Sequence, residues 1–199
     1  AMELIDGEPL IQYCDRRQLG LAPRLELFQQ LLQAVAHAHH HLVVHRDIKA
    51  DNILVTPEGQ PKLLDFGIAK TLDDVSVATR TAERFLSLGH AAPEQFGSAT
   101  PTVSCDIYAL GVLLYQLAVA DLRRPLAPGW ERDVADELLR EDIAACCDQQ
   151  PERRPGDAAD VARRLRALEE RRRLRSEQAR ASAAALAAQQ ALERARNRR

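Results

Sequence analysis

Polar and apolar positions along the 199-residue chain change period several times, and each change marks an element. Residues 9–17 suit a short helix, with Pro9 near its first turn, where the missing N–H costs little. A clearer helix opens at Pro23. Leu25, Phe28, Leu31, Leu32, Val35 and Ala38 recur at helical spacing, which places them on one face as far as about His41. "LVVHRD" then breaks the period. "NILV" and "KLLDF" flank the turn-rich "TPEGQP", predicting two short strands joined as a hairpin. From 67 to 92 no period holds, Ser and Thr are frequent, and a long loop is expected. A loop of that length inside a compact domain is usually functional or disordered. Residues 105–119, "CDIYALGVLLYQLAV", are apolar almost all round, as in a central buried helix. Further helices are expected at 131–148 and from 156 onward. The last is predicted to run to the C-terminus, because Ala, Arg, Glu, Gln and Leu dominate and neither Pro nor Gly interrupts. The pattern describes a mainly α body with one small hairpin and no internal repeat.

Composition narrows the class. Apolar residues make up 46% and charged residues 28%, as in a soluble globular chain long enough for one domain with a core. No apolar run approaches the ~20 residues of a membrane span, and the start shows no signal-peptide pattern. Cys14, Cys105, Cys146 and Cys147 lack paired zinc spacing, and scattered thiols suggest a reducing, cytoplasmic setting. Adjacent Cys146 and Cys147 read as helix burial rather than as a redox pair. Residues 1–162 hold 15 Lys/Arg against 25 Asp/Glu, while 163–199 hold 12 Arg against four Glu. An acidic body of net −10 therefore carries a basic tail of net +8. The tail's arginines lack interleaved aromatics, which argues against specific nucleic-acid readout. His37, His39, His40, His41 and His45 raise a metal reading, since His37 and His41 stand four apart on a predicted helix. No acidic or cysteine partner completes that site, so the end of a solvated helix is expected instead.

The chemistry concentrates in "HRDIKADN", residues 45–52, with "DFG" after it at 65–67 and "APE" at 92–94. Three motifs in this order, with a hairpin and a loop between them, resemble the C-terminal lobe of a protein kinase. The wider text, "HLVVHRDIKADNILV" and "PKLLDFGIAK", resembles the bacterial eukaryotic-like Ser/Thr kinases. A lysine two residues after Asp47 suggests the Ser/Thr class. The resemblance covers roughly residues 2–168. It implies a kinase C-lobe over 1–168 and then a basic Ala/Arg-rich helical juxtamembrane or linker segment over 169–199. It also implies ATP and Mg²⁺ as cofactors and a protein as substrate.

Roles come by resemblance, each with a physical reason. Asp47 would orient the substrate hydroxyl and accept its proton. Lys49 would offset the charge of the transferred phosphate. Asn52 and Asp65 would hold Mg²⁺, which prefers hard oxygen ligands. Phe66 would pack under the site, and Gly67 would give the backbone freedom for a turn. His45 would anchor the loop. Asp106, at the head of the apolar helix, matches the kinase Asp that holds the catalytic-loop backbone. A simple helix-dipole partner at that position would look the same in sequence. Glu94 and Arg154 of "PERRP" would form a buried ion pair. Arg46 could pair with a phosphate on the activation loop, with Thr79 and Thr81 as phosphorylation sites. Ser87 falls where the family keeps a substrate-positioning Thr. "LSLGHAAPE" departs from the family pattern, with His90 in a tyrosine position.

The chain shows no G-x-G-x-x-G loop, and its lysines are Lys49, Lys62 and Lys70, all in the segments above. "MELIDGEPL" resembles the hinge and the segment just after it, with Met2 as gatekeeper and Glu3–Ile5 (Glu3 and Ile5 at its ends) against the adenine. Without the glycine-rich lobe the phosphates lose their lid and an apolar floor is bared, which favours a covering partner. Negligible phosphotransfer by the chain alone is expected. Three readings stand: a catalytic lobe of a Ser/Thr kinase, a non-catalytic kinase-like binding module, and a basic tail acting near an anionic membrane at the cytoplasmic face of the inner membrane.

Overall fold

The structure, a computed structural model, describes residues 6–64, 90–96 and 102–197. Met2, Glu3, Ile5, Asp65, Phe66, Gly67, Thr79, Thr81, Ser87 and most of the expected long loop lie outside these described residues. The elements run β1 Glu8–Pro9, α1 Leu10–Arg16, α2 Leu21–His40, β2 Ile53–Val55, β3 Pro61–Leu63, α3 Val103–Ala118, α4 Glu137–Cys146, α5 Ala158–Arg166 and α6 Leu168–Asn197. The fold is mainly α with a small sheet and a long C-terminal helix. It divides into two compact units, Ala1–Arg164 and Leu165–Arg199.

The hairpin is present, with Ile53 opposite Leu63 and Val55 opposite Pro61. Gly59 turns it at a φ of +80°, a conformation that an L side chain resists. A third strand joins it: β1 pairs antiparallel with β2, so the sheet order is β1-β2-β3. Two residues are too few to show an alternating pattern, so periodicity does not announce β1. Pro9 sits at the sheet edge, where its missing donor is tolerated.

Helix α3 forms the centre of the first unit. Of residues 105–117, only Tyr108 escapes full burial. Helices α2 and α4 pack on it. From α2 come Leu27, Phe28, Leu31, Leu32 and Val35, all buried; four of these belong to the stripe read from the sequence, whose Leu25 and Ala38 are only half-buried, while Leu27 was not in it. Helix α4 is shorter than the 131–148 expected. Trp130–Arg132 form a 3₁₀ turn, and the chain then leaves helical geometry until Asp136 caps α4 by accepting from Leu139 N at 3.0 Å.

The single helix expected from 156 is two, with the break at Ala167. No Pro or Gly marks that break, so composition is silent about it. The two helices also stand on different physics. Ala158, Val161 and Ala162 of α5 are buried, whereas α6 is exposed from Arg173 to Ala191. Helix propensity and i,i+3 or i,i+4 pairs support α6, among them Arg173 with Glu170 at 2.6 Å and with Glu177 at 3.6 Å. No helix among the described residues is long and apolar enough to cross a membrane.

The four cysteines are free, and three are buried. Burial pushes the Cys146 thiol up to about 12, with the nearby Asp142 adding to it. Burial raises Cys147 further, with Cys146 contributing. Thiols held protonated in this way are packing groups. They pack on Gly111: a Cβ there would stand 2.6 Å from both Cys146 Cβ and Cys147 Sγ. Gly111→Ala should therefore cost about 1–3 kcal/mol, read as a lower urea midpoint at unchanged slope.

Candidate active site

The loop at 45–52 begins where α2 ends. Val43 N bonds Ala38 O at 2.9 Å, reversing the chain through Leu42 at a φ of +60°. Leu42 is 92% exposed, so nothing apolar compensates for that left-handed backbone. Past this turn the chain meets the head of α3. Asp106 is 1% exposed, and its carboxylate accepts from His45 N at 2.7 Å and from Arg46 N at 2.8 Å. His39 Nε2 lies 3.0 Å from the same carboxylate. Asp106 thus grips the loop backbone directly, which a dipole partner would not do. His39 is itself only 6% exposed, so it does not belong to the solvated helix end expected for the histidine cluster. It lies on the inner face of α2, in line with Val35 and Leu32, and turns inward to a buried carboxylate. His37, His40 and His41 are exposed as expected.

His45 ties the loop to the hairpin. Its Nε2 donates to Leu64 O at 2.9 Å, and its Nδ1 accepts from Asp47 N at 3.3 Å. This requires the Nε2–H tautomer. Leu64 N donates to Asn52 O at 2.8 Å, so the residue preceding Asp65 is bonded to both ends of the loop. Ile48 and Ala50 point inward and are buried.

The chemistry-bearing side chains converge. Asn52 Nδ2 donates to Asp47 O at 2.7 Å and to Asp47 Oδ2 at 2.9 Å. Both amide protons are spent there, which turns Asn52 Oδ1 away as a hard oxygen donor. Lys49 Nζ lies 3.3 Å from Asp47 Oδ2, and each side chain is about one-fifth exposed. A carboxylate, an ammonium and an amide oxygen therefore share one partly open site. Arg46 adopts a φ of +71°, and its Nε is buried without a hydrogen-bond partner. Asp106 supplies the bond that holds this strained residue.

Glu94 and Arg154 come together across 60 residues of chain. Arg154 donates to both carboxylate oxygens, at 2.6 and 2.9 Å, and also to Asp148 O and Ser104 O. Cys105 Sγ reaches Glu94 at 3.5 Å. Burial tends to raise the Glu94 carboxyl, but the Arg154 hydrogen bonds, a backbone bond and the Arg154 charge hold it below the usual carboxylate range.

Sequence reading missed Gln116, a lone amide in an otherwise apolar helix run. It is 1% exposed; its Nε2 donates to Arg124 O at 3.0 Å, and its Oε1 stands 3.1 Å from His90 Nε2. A carbonyl only accepts, so the amide orientation is set, and His90 Nε2 must be the donor to Oε1. His90 Nδ1 is buried without a partner. Burial depresses the His90 pKa; the Gln116 hydrogen bond opposes this, the Lys49 charge adds to it, and Asp51 and Asp47 oppose it more weakly. His90 is thereby held neutral beside the loop.

Among the described residues no group of three or more His, Cys, Asp or Glu could hold a metal ion. The ring centroids of His37 and His41 are 4.4 Å apart, and His41 Nδ1 donates to His37 O.

The family profile described as "Protein kinase domain" matches residues 1–186. Serine/threonine-protein kinase PknA of Mycobacterium tuberculosis is 40% identical over 141 residues, 70% of this chain and 32% of that protein. The probable serine/threonine-protein kinase PknB of Lactococcus lactis is 38% identical over 122 residues, 61% of this chain and 19% of that protein. Serine/threonine-protein kinase PrkC of Bacillus subtilis is 38% identical over 117 residues, 58% of this chain and 18% of that protein. The chain therefore spans a third or less of the length of these curated relatives.

The geometry has two testable outcomes. Asp106→Ala orphans the buried His45 N–H, the part-buried Arg46 N–H and His39 Nε2, and should cost about 3–5 kcal/mol. Urea unfolding would read the loss, and amide exchange at His45 and Arg46 should accelerate. The second outcome concerns pH. An unfolded histidine takes its proton near pH 6.5, whereas folded His90 does so lower. The His90 contribution is complete above about pH 6.5 and is lost as pH falls toward the depressed folded value. His90→Gln, which can still donate to Gln116, should flatten that part of the stability–pH curve.

Proposed function

Because this chain belongs to the protein kinase family, with bacterial Ser/Thr kinases as its relatives, we propose that its 45–52 loop serves phosphoryl transfer from ATP to a Ser or Thr hydroxyl of a protein. The observation that carries this reading is the convergence of Lys49 and Asn52 on the Asp47 carboxylate. In-line phosphoryl transfer needs positioning and charge compensation more than covalent help. Asp47 Oδ2 would accept the hydroxyl proton, and Asn52 holds that oxygen in place by its bond. Lys49 would leave Asp47 for the transferred phosphoryl oxygens when substrate binds. Asn52 Oδ1, turned away from Asp47, suits Mg²⁺ with Asp65 as the second ligand; the ion would neutralise phosphate charge. Arg46, with its unpartnered Nε, suits a phosphorylated Thr79 or Thr81. His90 and Gln116 would brace the segment ahead of Glu94 against α3, where the family's tyrosine would stand. Met2, Glu3 and Ile5 would meet the adenine.

The chain as given carries no glycine-rich loop to cover the phosphates. With radiolabelled ATP, Mg²⁺ and a Ser/Thr peptide, this chain alone should transfer negligible label. Joined to the glycine-rich lobe of one of its relatives, it should label the peptide, and Asp47→Asn should lower the rate by roughly 10²–10⁴-fold. Equal rates with and without Asp47 would overturn the assignment. Robust Asp47-dependent turnover by the chain alone would instead show that a glycine-rich loop is dispensable.

A further inference from the structure

A basic recess lies away from the 45–52 loop. Arg153, Arg154, Arg163 and Arg164 line a cavity of about 380 Å³, with Asp160 beside them. That volume is in the range of small-ligand sites. Four guanidiniums around one cavity stand out in a chain of net charge −2.

Neighbouring carboxylates do not use up these donors. Arg154 is spent on Glu94, Asp148 O and Ser104 O. Arg164 is anchored through Nε to Asp142, which is 1% exposed, at 2.7 Å. Arg163 gives one hydrogen bond, to Asp160. Arg153 is exposed and pairs with no carboxylate among the described residues. A guanidinium carries five N–H donors, so Arg153 and Arg163 keep most of theirs.

We propose that this recess binds a phosphate group, held by the guanidinium forks of Arg153 and Arg163, with the carboxylate-paired Arg154 and Arg164 completing its wall. The fork geometry matches phosphate oxygens bidentately. Asp160 sets the choice of anion. A ligand must share Arg163 with it, and a phosphomonoester carrying about −1.5 to −2 at neutral pH competes better than a singly charged carboxylate. Arg154 and Arg164 are already fixed by internal bonds, so the ordering imposed on binding is confined to Arg153 and Arg163. Arg154 also holds Glu94, so an occupied recess would bear on the segment at 90–96.

The test uses the whole chain labelled with ¹⁵N-arginine, tracking the Nε–Hε signals. Inorganic phosphate, O-phosphothreonine and glutamate are titrated separately. Saturable shifts of Arg153 and Arg163 are expected with phosphate compounds and not with glutamate. Tighter binding of phosphothreonine identifies a phosphorylated protein side chain as the ligand; tighter binding of inorganic phosphate identifies the free anion. Combining Arg153→Gln with Arg163→Gln should weaken binding about tenfold or more at an unchanged melting temperature. No saturable shift, equal affinity for glutamate, or binding that survives the double variant would overturn the proposal. The readout needs no phosphotransfer, so its failure leaves the catalytic reading standing, and the converse holds.

Discussion

The Asp106 carboxylate sits in the interior with His45 N, Arg46 N and His39 Nε2 around it, and the 45–52 loop takes its shape from that arrangement. A buried carboxylate is costly unless its oxygens are satisfied. Here the groups that satisfy it are the backbone amides of the loop itself. Desolvation of Asp106 and ordering of the loop are therefore one event. The left-handed backbone at Arg46 becomes tolerable because its N–H is needed at Oδ1. From that point outward, His45 bonds the hairpin, and Asn52 bonds Asp47.

Helix α3 is the frame on which this depends. Its buried apolar residues fix the position of Asp106 at its head and of Gln116 near its end. The Glu94–Arg154 pair attaches a second segment to the same frame, through Ser104 O and the Tyr108 ring, whose centroid is 5.0 Å from the guanidinium. Loop and segment thus share one reference in α3. Gly111 is part of the same logic, since only a missing side chain lets α4 and its cysteines approach α3 this closely.

The second unit obeys different rules. Most of α6 is exposed, and its stability comes from helix propensity and neighbouring Arg–Glu pairs, which are individually small and salt-sensitive. Its sequence is accordingly permissive and rich in Ala, Arg and Gln.

Much was legible from sequence because the signals were local. The stripe of α2, the all-round apolarity of α3 and the turn residues between β2 and β3 each determine an element through periodicity or backbone preference. The motifs placed Asp47, Lys49 and Asn52 within six residues of one another, so their proximity was guaranteed by the chain. Tertiary structure decided what needed distant partners. His39 looked like one of several surface histidines until α3 brought Asp106 to it across 67 residues. Gln116 gained meaning only from His90 and Arg124, and the arginine recess only from helix α5 folding beside residues 153–154. The two-residue strand β1 and the break at Ala167 also escaped, because pairing and burial set them, not composition. Periodicity reports which face of an element is buried. It does not report which buried polar atom meets which, because that requires the other element's coordinates.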